Sequence, residues 1–112
     1  MAYAKQAQLP GDKRIFSLDS AVKKYTLRDV GFVQSKGGKF ILERPLDSSV
    51  AFAASVKLKI TVSADLQTFK MTTTNGNGLR EVNLFQKSDP QILEQLEFSL
   101  KELQERKVLK LN

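Results

Sequence analysis

Three features of the sequence predict an α+β fold in which a curved antiparallel sheet grips a long C-terminal helix. Leu93, Leu96, Leu100 and Leu103 recur at helical spacing after the Asp89-Pro90 pair. The stretch Val56 to Ser63 alternates apolar and polar residues without a break, the pattern of a strand with one buried face. Gly-Gly and Asn-Gly turns separate neighbouring apolar runs, which makes sequential strands antiparallel neighbours. The 112 residues are one domain's length with no shift in composition, so residues 1–112 read as a single α+β domain.

The first strand is expected around Arg14-Ile15-Phe16-Ser17-Leu18, after the turn residues Leu9-Pro10-Gly11-Asp12, because Phe16 and Leu18 alternate with polar neighbours. Asp19 or Ser20 then caps a short helix within Ala21 to Val30, with Val22, Tyr25 and Val30 inward and Gly31 as its stop. Phe32 to Ser35 and Phe40 to Arg44 form a hairpin ended by Pro45. The two glycines of Lys36-Gly37-Gly38-Lys39 supply the positive φ angles of a primed two-residue turn. Asp47 to Ser55 gives no period and reads as a loop.

Val56 to Ser63 is the half-buried strand, and Leu66 to Thr74 follows with Phe69 and Met71 on one face. Asn75-Gly76-Asn77-Gly78 turns the chain into Leu79 to Phe85, a third strand that completes a meander. Asp89 caps and Pro90 opens a helix reaching about Arg106, where Glu97 precedes Lys101 in the favourable order for a surface ion pair. Val108 to Leu111 is a short final strand or a packed tail. This order is similar to TATA-box-binding-protein-like and helix-grip folds, several of which hold ligands between helix and sheet. A fold shared in this way carries no function by itself.

Composition excludes more chemistry than any motif proposes. Cys and His are both absent, which removes thiolate metal sites, Ser-His and Cys-His nucleophile pairs and thioester or persulfide carriage. No cofactor or metal is expected, and no pair of titratable groups at diagnostic spacing argues for catalysis. The N-terminal residues lack the apolar core of a signal peptide, and no stretch approaches the ~20 apolar residues of a membrane span. A soluble cytoplasmic protein without a membrane partner is the expectation.

The formal charge of +6 lies in the front half: residues 1–44 carry nine basic and four acidic side chains, residues 88–112 four and five. Such an imbalance marks either an anionic partner or a solvated face that aids solubility. Lys36-Gly37-Gly38-Lys39-Phe40 lacks the spacing of a phosphate-cradling P-loop and reads as a hairpin turn with solubilising lysines. Lys23, Lys24, Arg28, Lys36, Lys39 and Arg44 fall on adjacent elements and are a candidate anion surface, with Arg28 and Arg44 able to grip a carboxylate or phosphate bidentately. Tyr25 could stack beside them or belong to the core. Phe98 lies opposite the leucine stripe and is a candidate homodimer contact or pocket wall, although one exposed apolar residue is also ordinary. Thr72, Thr73 and Thr74 have no base to activate a hydroxyl, and β-propensity accounts for them.

Two segments carry a resemblance: Lys24-Tyr25-Thr26-Leu27-Arg28-Asp29-Val30-Gly31-Phe32 and Leu42-Glu43-Arg44-Pro45-Leu46-Asp47, with the Val56 to Val62 strand downstream. Together they resemble a small domain family of lactic-acid bacteria, the Lactobacillales, whose described role is in amino-acid metabolism. The resemblance implies an antiparallel sheet packed on a helix in a bacterial cytosolic protein. Among the resembling residues Tyr25, Arg28, Asp29 and Arg44 bear groups suited to a ligand site. The leading expectation is a non-catalytic accessory module that holds a small anionic metabolite, with a protein partner as a further outcome. RNA binding through the basic N-terminal half is the alternative.

Overall fold

In the computed structural model, which describes residues 3–76, 80–87 and 89–112, the strands form two antiparallel sheets. The larger holds β3 (Val33–Gln34), β4 (Phe40–Pro45), β5 (Lys57–Val62) and β6 (Phe69–Thr74), in that order. The smaller holds β1 (Gln6–Ala7), β2 (Phe16–Leu18) and β7 (Leu109–Leu111), again in that order. The helices are α1 (Lys24–Asp29), α2 (Leu84–Lys87) and α3 (Pro90–Glu105), with a 3₁₀ turn at Phe52–Ala54. Ala4 and Phe69 exchange backbone hydrogen bonds of 3.0 and 2.9 Å, which fasten the chain ahead of β1 to the free edge of β6 and so stitch the two sheets together.

Register explains the core. Phe40, Val62 and Phe69 lie abreast on β4, β5 and β6, as do Leu42, Ile60 and Met71, so six large apolar side chains share one face. All six are at most 3% exposed. Leu96, Leu100 and Leu103 of α3 are fully buried and join the same core cluster, as do Phe16 and Leu109 from the smaller sheet. A helix with one apolar stripe must bury it against such a face, and this burial stabilises the fold.

Both ends of α3 are held by local chemistry. Asp89 Oδ1 accepts the Gln91 N–H at 2.8 Å, with Pro90 at the first helical position. At the other end Lys107, at φ +62, lets its own N–H reach Gln104 O and the Val108 N–H reach Leu103 O, a Schellman closure built without glycine. α1 closes in the same way on Gly31, where the Phe32 N–H reaches Leu27 O at 2.9 Å.

Several expectations are corrected. α1 begins at Lys24, and Asp19 caps nothing in it; its carboxylate instead accepts the Ala21 N–H in a local turn. Starting there turns Leu27 and Val30 inward, three residues apart, and leaves Tyr25 outside at 61% exposure. In the β3–β4 hairpin Gly38 alone of the two glycines has positive φ, at +92, and Gly38 N–H bonds Ser35 O. The connection is a three-residue turn ending in a left-handed glycine in place of the primed two-residue turn.

The third meander strand does not form among the described residues; Thr74 and Glu81 make a single bridge. Pairing stops there because Asn83 Oδ1 accepts the Phe85 N–H and starts α2. Asn77, Gly78 and Leu79 of the expected turn and strand lie outside the described residues. Glu97 is engaged by Arg14 at 2.6 Å, where the sequence pattern had pointed to Lys101. β5 is buried on both faces at Lys57 and Thr61, 2% and 3% exposed, and is not half-buried.

Candidate functional site

The face of the larger sheet turned away from the apolar core carries the polar half of the alternating pattern. Thr61 of β5 lies between Ile41 and Lys70, Lys59 between Glu43 and Thr72, and Lys57 between Pro45 and Thr74. A groove of about 150 Å3 opens here, lined by Lys59, Thr61, Lys70, Thr72, Thr74 and Glu81, with Met71 contributing from β6. That volume has room for several water molecules or a small metabolite. A second depression on this face, about 430 Å3, is walled by Val33, Ser35, Ile41, Glu43 and Phe52.

Lys57 closes one end of the face. Its ammonium donates to Ser55 O at 3.1 Å and Gly76 O at 2.7 Å and stands 4.5 Å from the centre of the Phe52 ring. Two carbonyls and an aromatic face replace its lost hydration, so a buried lysine is tolerated. Ser55, fully buried, accepts the N–H groups of Leu46 and Asp47 and donates to Val56 O, which fixes the loop carrying Phe52. Gly76 is obligatory because a Cβ there would lie 2.8 Å from Ala53 O.

The polar groups inside the groove are satisfied unequally. Thr72 Oγ1 donates to Glu81 Oε2 and so orients that carboxylate. Lys70 Nζ stands 4.9 Å from the centre of the Tyr3 ring. Lys59 and Glu81 enter no ion pair among the described residues, although charges of both signs line the one groove. Thr74 Oγ1 is buried with no hydrogen-bond partner among the described residues, in a residue 4% exposed. A buried hydroxyl without a partner costs about 1–3 kcal/mol, and native proteins rarely carry one.

The residues singled out from sequence lie around α1, on another part of the surface. Arg28 donates to Gln34 Oε1 at 2.8 Å and stands 6.0 Å from the centre of the Phe40 ring. Arg44 turns inward: its NH2 group donates to Val30 O at 2.8 Å and to Glu102 Oε1 at 2.5 Å, tying β4 to the end of α1 and to α3. Asp29 pairs with Arg106 at 3.7 Å. The two arginines thus reach different partners. Lys23 Nζ stands 5.8 Å from the Tyr25 ring centre, and Lys23, Lys24, Lys36 and Lys39 are exposed or partly exposed around them. Phe98 is 63% exposed on the outer side of α3.

The groove residues were missed in the sequence because Lys57, Lys59 and Thr61 read there as the solvated side of a strand. Pairing the period-two pattern of β5 with that of β6 across their hairpin would have placed Lys59, Thr72, Thr61 and Lys70 on one face. Away from the groove, Arg14 is held firmly protonated, first by its bonds to Glu97 and then by those to Asp12. Asp65 and Asp47 are held below the usual carboxylate range by bonds from Ser63 Oγ and Ser49 Oγ.

Fold and face together define a small α+β domain with a polar groove on the outer face of its larger sheet, and the comparisons with known proteins name its family. A family model described as "Putative amino acid metabolism" matches residues 1–110, and the chain belongs to that family, DUF1831. The chain is also similar to the crystal structure of a DUF1831 family protein from Lactobacillus plantarum. The two are 44% identical over 100% of this chain and 99% of the other, with a TM-score of 0.92. The resemblance drawn from the α1 and β4 segments is therefore borne out over the whole chain. A search of curated proteins finds no match. Among the described residues no helix is long and apolar enough to cross a membrane.

Proposed function

We propose that the chain is a non-catalytic module of amino-acid metabolism that holds a small anionic metabolite in the groove between β5, β6 and Glu81. The observation that carries this reading is the buried Thr74 hydroxyl, which lacks a partner in a groove flanked by Lys59 and Lys70. Two lysines supply the charge for a carboxylate, and the threonine supplies the fixed donor that makes recognition directional. Without His or Cys, and with the Thr72 hydroxyl committed to Glu81, the groove is better suited to binding than to proton or acyl transfer.

The test is a thermal-shift screen of the wild-type chain and of a Lys59→Met, Lys70→Met double variant against small carboxylates, amino acids and inorganic phosphate. A ligand at 100 times its Kd adds about 2.7 kcal/mol, which for this size of domain raises Tm by about 10 °C or more. The wild type shifts and the double variant does not. Equal shifts in both would place the ligand elsewhere.

The exposure of Tyr25 beside Lys23 favours a second reading, in which α1 and the β3–β4 hairpin contact RNA through Lys23, Lys24, Arg28, Lys36 and Lys39. Tyr25 would stack on a base, and the lysines would follow the backbone. This mode requires log Kd to change by about 0.7 per neutralised phosphate for each decade of salt, and a flat salt response rejects it. Arg28→Ala tests the same surface for a small anion, with Asp29 and Arg44 held back because each also ties elements of the fold together.

A further inference from the structure

We propose that the groove takes a free α-amino acid, with its carboxylate between Lys59 and Lys70, within reach of the Thr74 hydroxyl, and its ammonium against Glu81. This rests on the ligand-binding reading of the same groove and names the chemistry that reading leaves open.

The arrangement of charge in the groove distinguishes this ligand from a simple anion. A site for a simple anion is best lined by cations and neutral donors alone, because a carboxylate in the groove repels the ligand. Here Glu81 lines the groove with Lys59 and Lys70, and Thr72 Oγ1 fixes its carboxylate there. Lys59 is the cross-strand partner of that same Thr72 on one side and of Glu43 on the other. Lys59 nevertheless closes an ion pair with neither glutamate among the described residues.

Opposite charges lining one small groove, none of them in an ion pair among the described residues, are the complement of a molecule that carries both signs a few bonds apart. Glu81 is exposed at the rim, while Thr74, its bridge partner, is buried. The ammonium therefore lies outward and the carboxylate inward, where the unpartnered hydroxyl can donate to it. The volume of about 150 Å3 is on the scale of one small amino acid.

The experiment is a thermal-shift and calorimetric panel on the full chain. Its probes are the twenty common L-amino acids, the N-acetyl form of each, the corresponding amines lacking the carboxylate, and inorganic phosphate. At least one free amino acid is expected to stabilise the chain, while its N-acetyl form and its amine bind at least about tenfold more weakly. Glu81→Gln should weaken the amino acid about tenfold or more and bring it level with its N-acetyl form. Thr74→Val should raise the Tm of the ligand-free chain and shrink the shift given by the amino acid, a pair of opposite changes that simple misfolding cannot produce.

Binding of the N-acetyl form as tight as the free amino acid would overturn the zwitterion assignment and leave the anion-binding groove standing. The same holds if Glu81→Gln binds unchanged. No shift with any probe, joined to a Thr74→Val variant indistinguishable from wild type, would overturn the groove itself.

Discussion

The two faces of the larger sheet are built on the same four strands, yet they treat their polar groups in opposite ways. On the inner face Arg44 shares a row with Leu58 and Thr73, and its guanidinium is bound by Val30 O and Glu102. Thr73 Oγ1 there donates to Val82 O at 2.6 Å. On the outer face Lys57 is satisfied as fully, but directly opposite it on β6 Thr74 Oγ1 has no partner among the described residues. A face whose polar groups are all bonded internally contributes stability and has nothing left to offer a ligand. A face that keeps an unbonded hydroxyl and separated charges carries a stability cost that a ligand can offset.

The sharpest way to break this contrast is on the inner face. Ile60→Ala opens a cavity in the fully buried row and should cost about 3–4 kcal/mol, read as a fall of more than 10 °C in Tm, with ligand shifts retained by the molecules that remain folded. On the outer face Lys57→Met leaves the carbonyls of Ser55 and Gly76 without their donor and should cost about 1–3 kcal/mol in urea denaturation. Thr74→Val acts in the opposite direction, removing an unpaired buried hydroxyl at nearly constant volume. The ligand-free protein should gain about 1 kcal/mol.

Smaller again is Lys59→Met, whose ammonium makes no ion pair among the described residues. Stability should stay within about 0.5 kcal/mol of wild type while ligand affinity falls. A loss of stability comparable to that of Lys57→Met would show Lys59 to be part of the scaffold. The smallest effect lies at the turn joining the two strands. Ser63 Oγ holds the Asp65 carboxyl below its usual range, so this group contributes stability that is fully present above its unfolded pKa, near 4, and is lost as the pH falls through the lower folded value. Ser63→Ala should move the Asp65 titration, followed by NMR, back toward the ordinary value.

What could be read from the sequence follows from how local the governing physics is. α3 was legible to within about one residue because its cap, its proline and its leucine stripe all lie within the helix itself. β4, β5 and β6 were legible for the same reason, since period-two patterns and hairpin turns are near neighbours in sequence. The third strand failed at Asn83, where a side-chain cap and a strand ladder compete for the same backbone and the cap wins. Tyr25 was turned the wrong way because α1 is short, and a start displaced by a few residues rotates its whole face.

The site was less legible than the fold. Lys57 and Thr61 look solvated in any single-strand pattern, and what buries them comes from elsewhere in the chain, as with Phe52 over Lys57. In the sequence Arg44 reads as a guanidinium able to grip an anion, but its partners Val30 and Glu102 lie 14 and 58 residues away. No sequence pattern announces a hydroxyl that lacks a partner, because that is a property of the packed environment.

The smaller sheet has a consequence for how the molecule assembles. Its central strand, β2, pairs with β7, and Ser17 Oγ bonds to Asn112 across 95 residues. The strands of the larger sheet pair with sequence neighbours, whereas β2 must wait for nearly the whole chain to be arranged before its second partner arrives. In kinetic terms, weakening β7 should speed unfolding and leave the folding rate almost unchanged, while weakening the β5–β6 hairpin should slow folding itself. The β2–β7 seam would then serve as the latch of the native state, formed last and opened first.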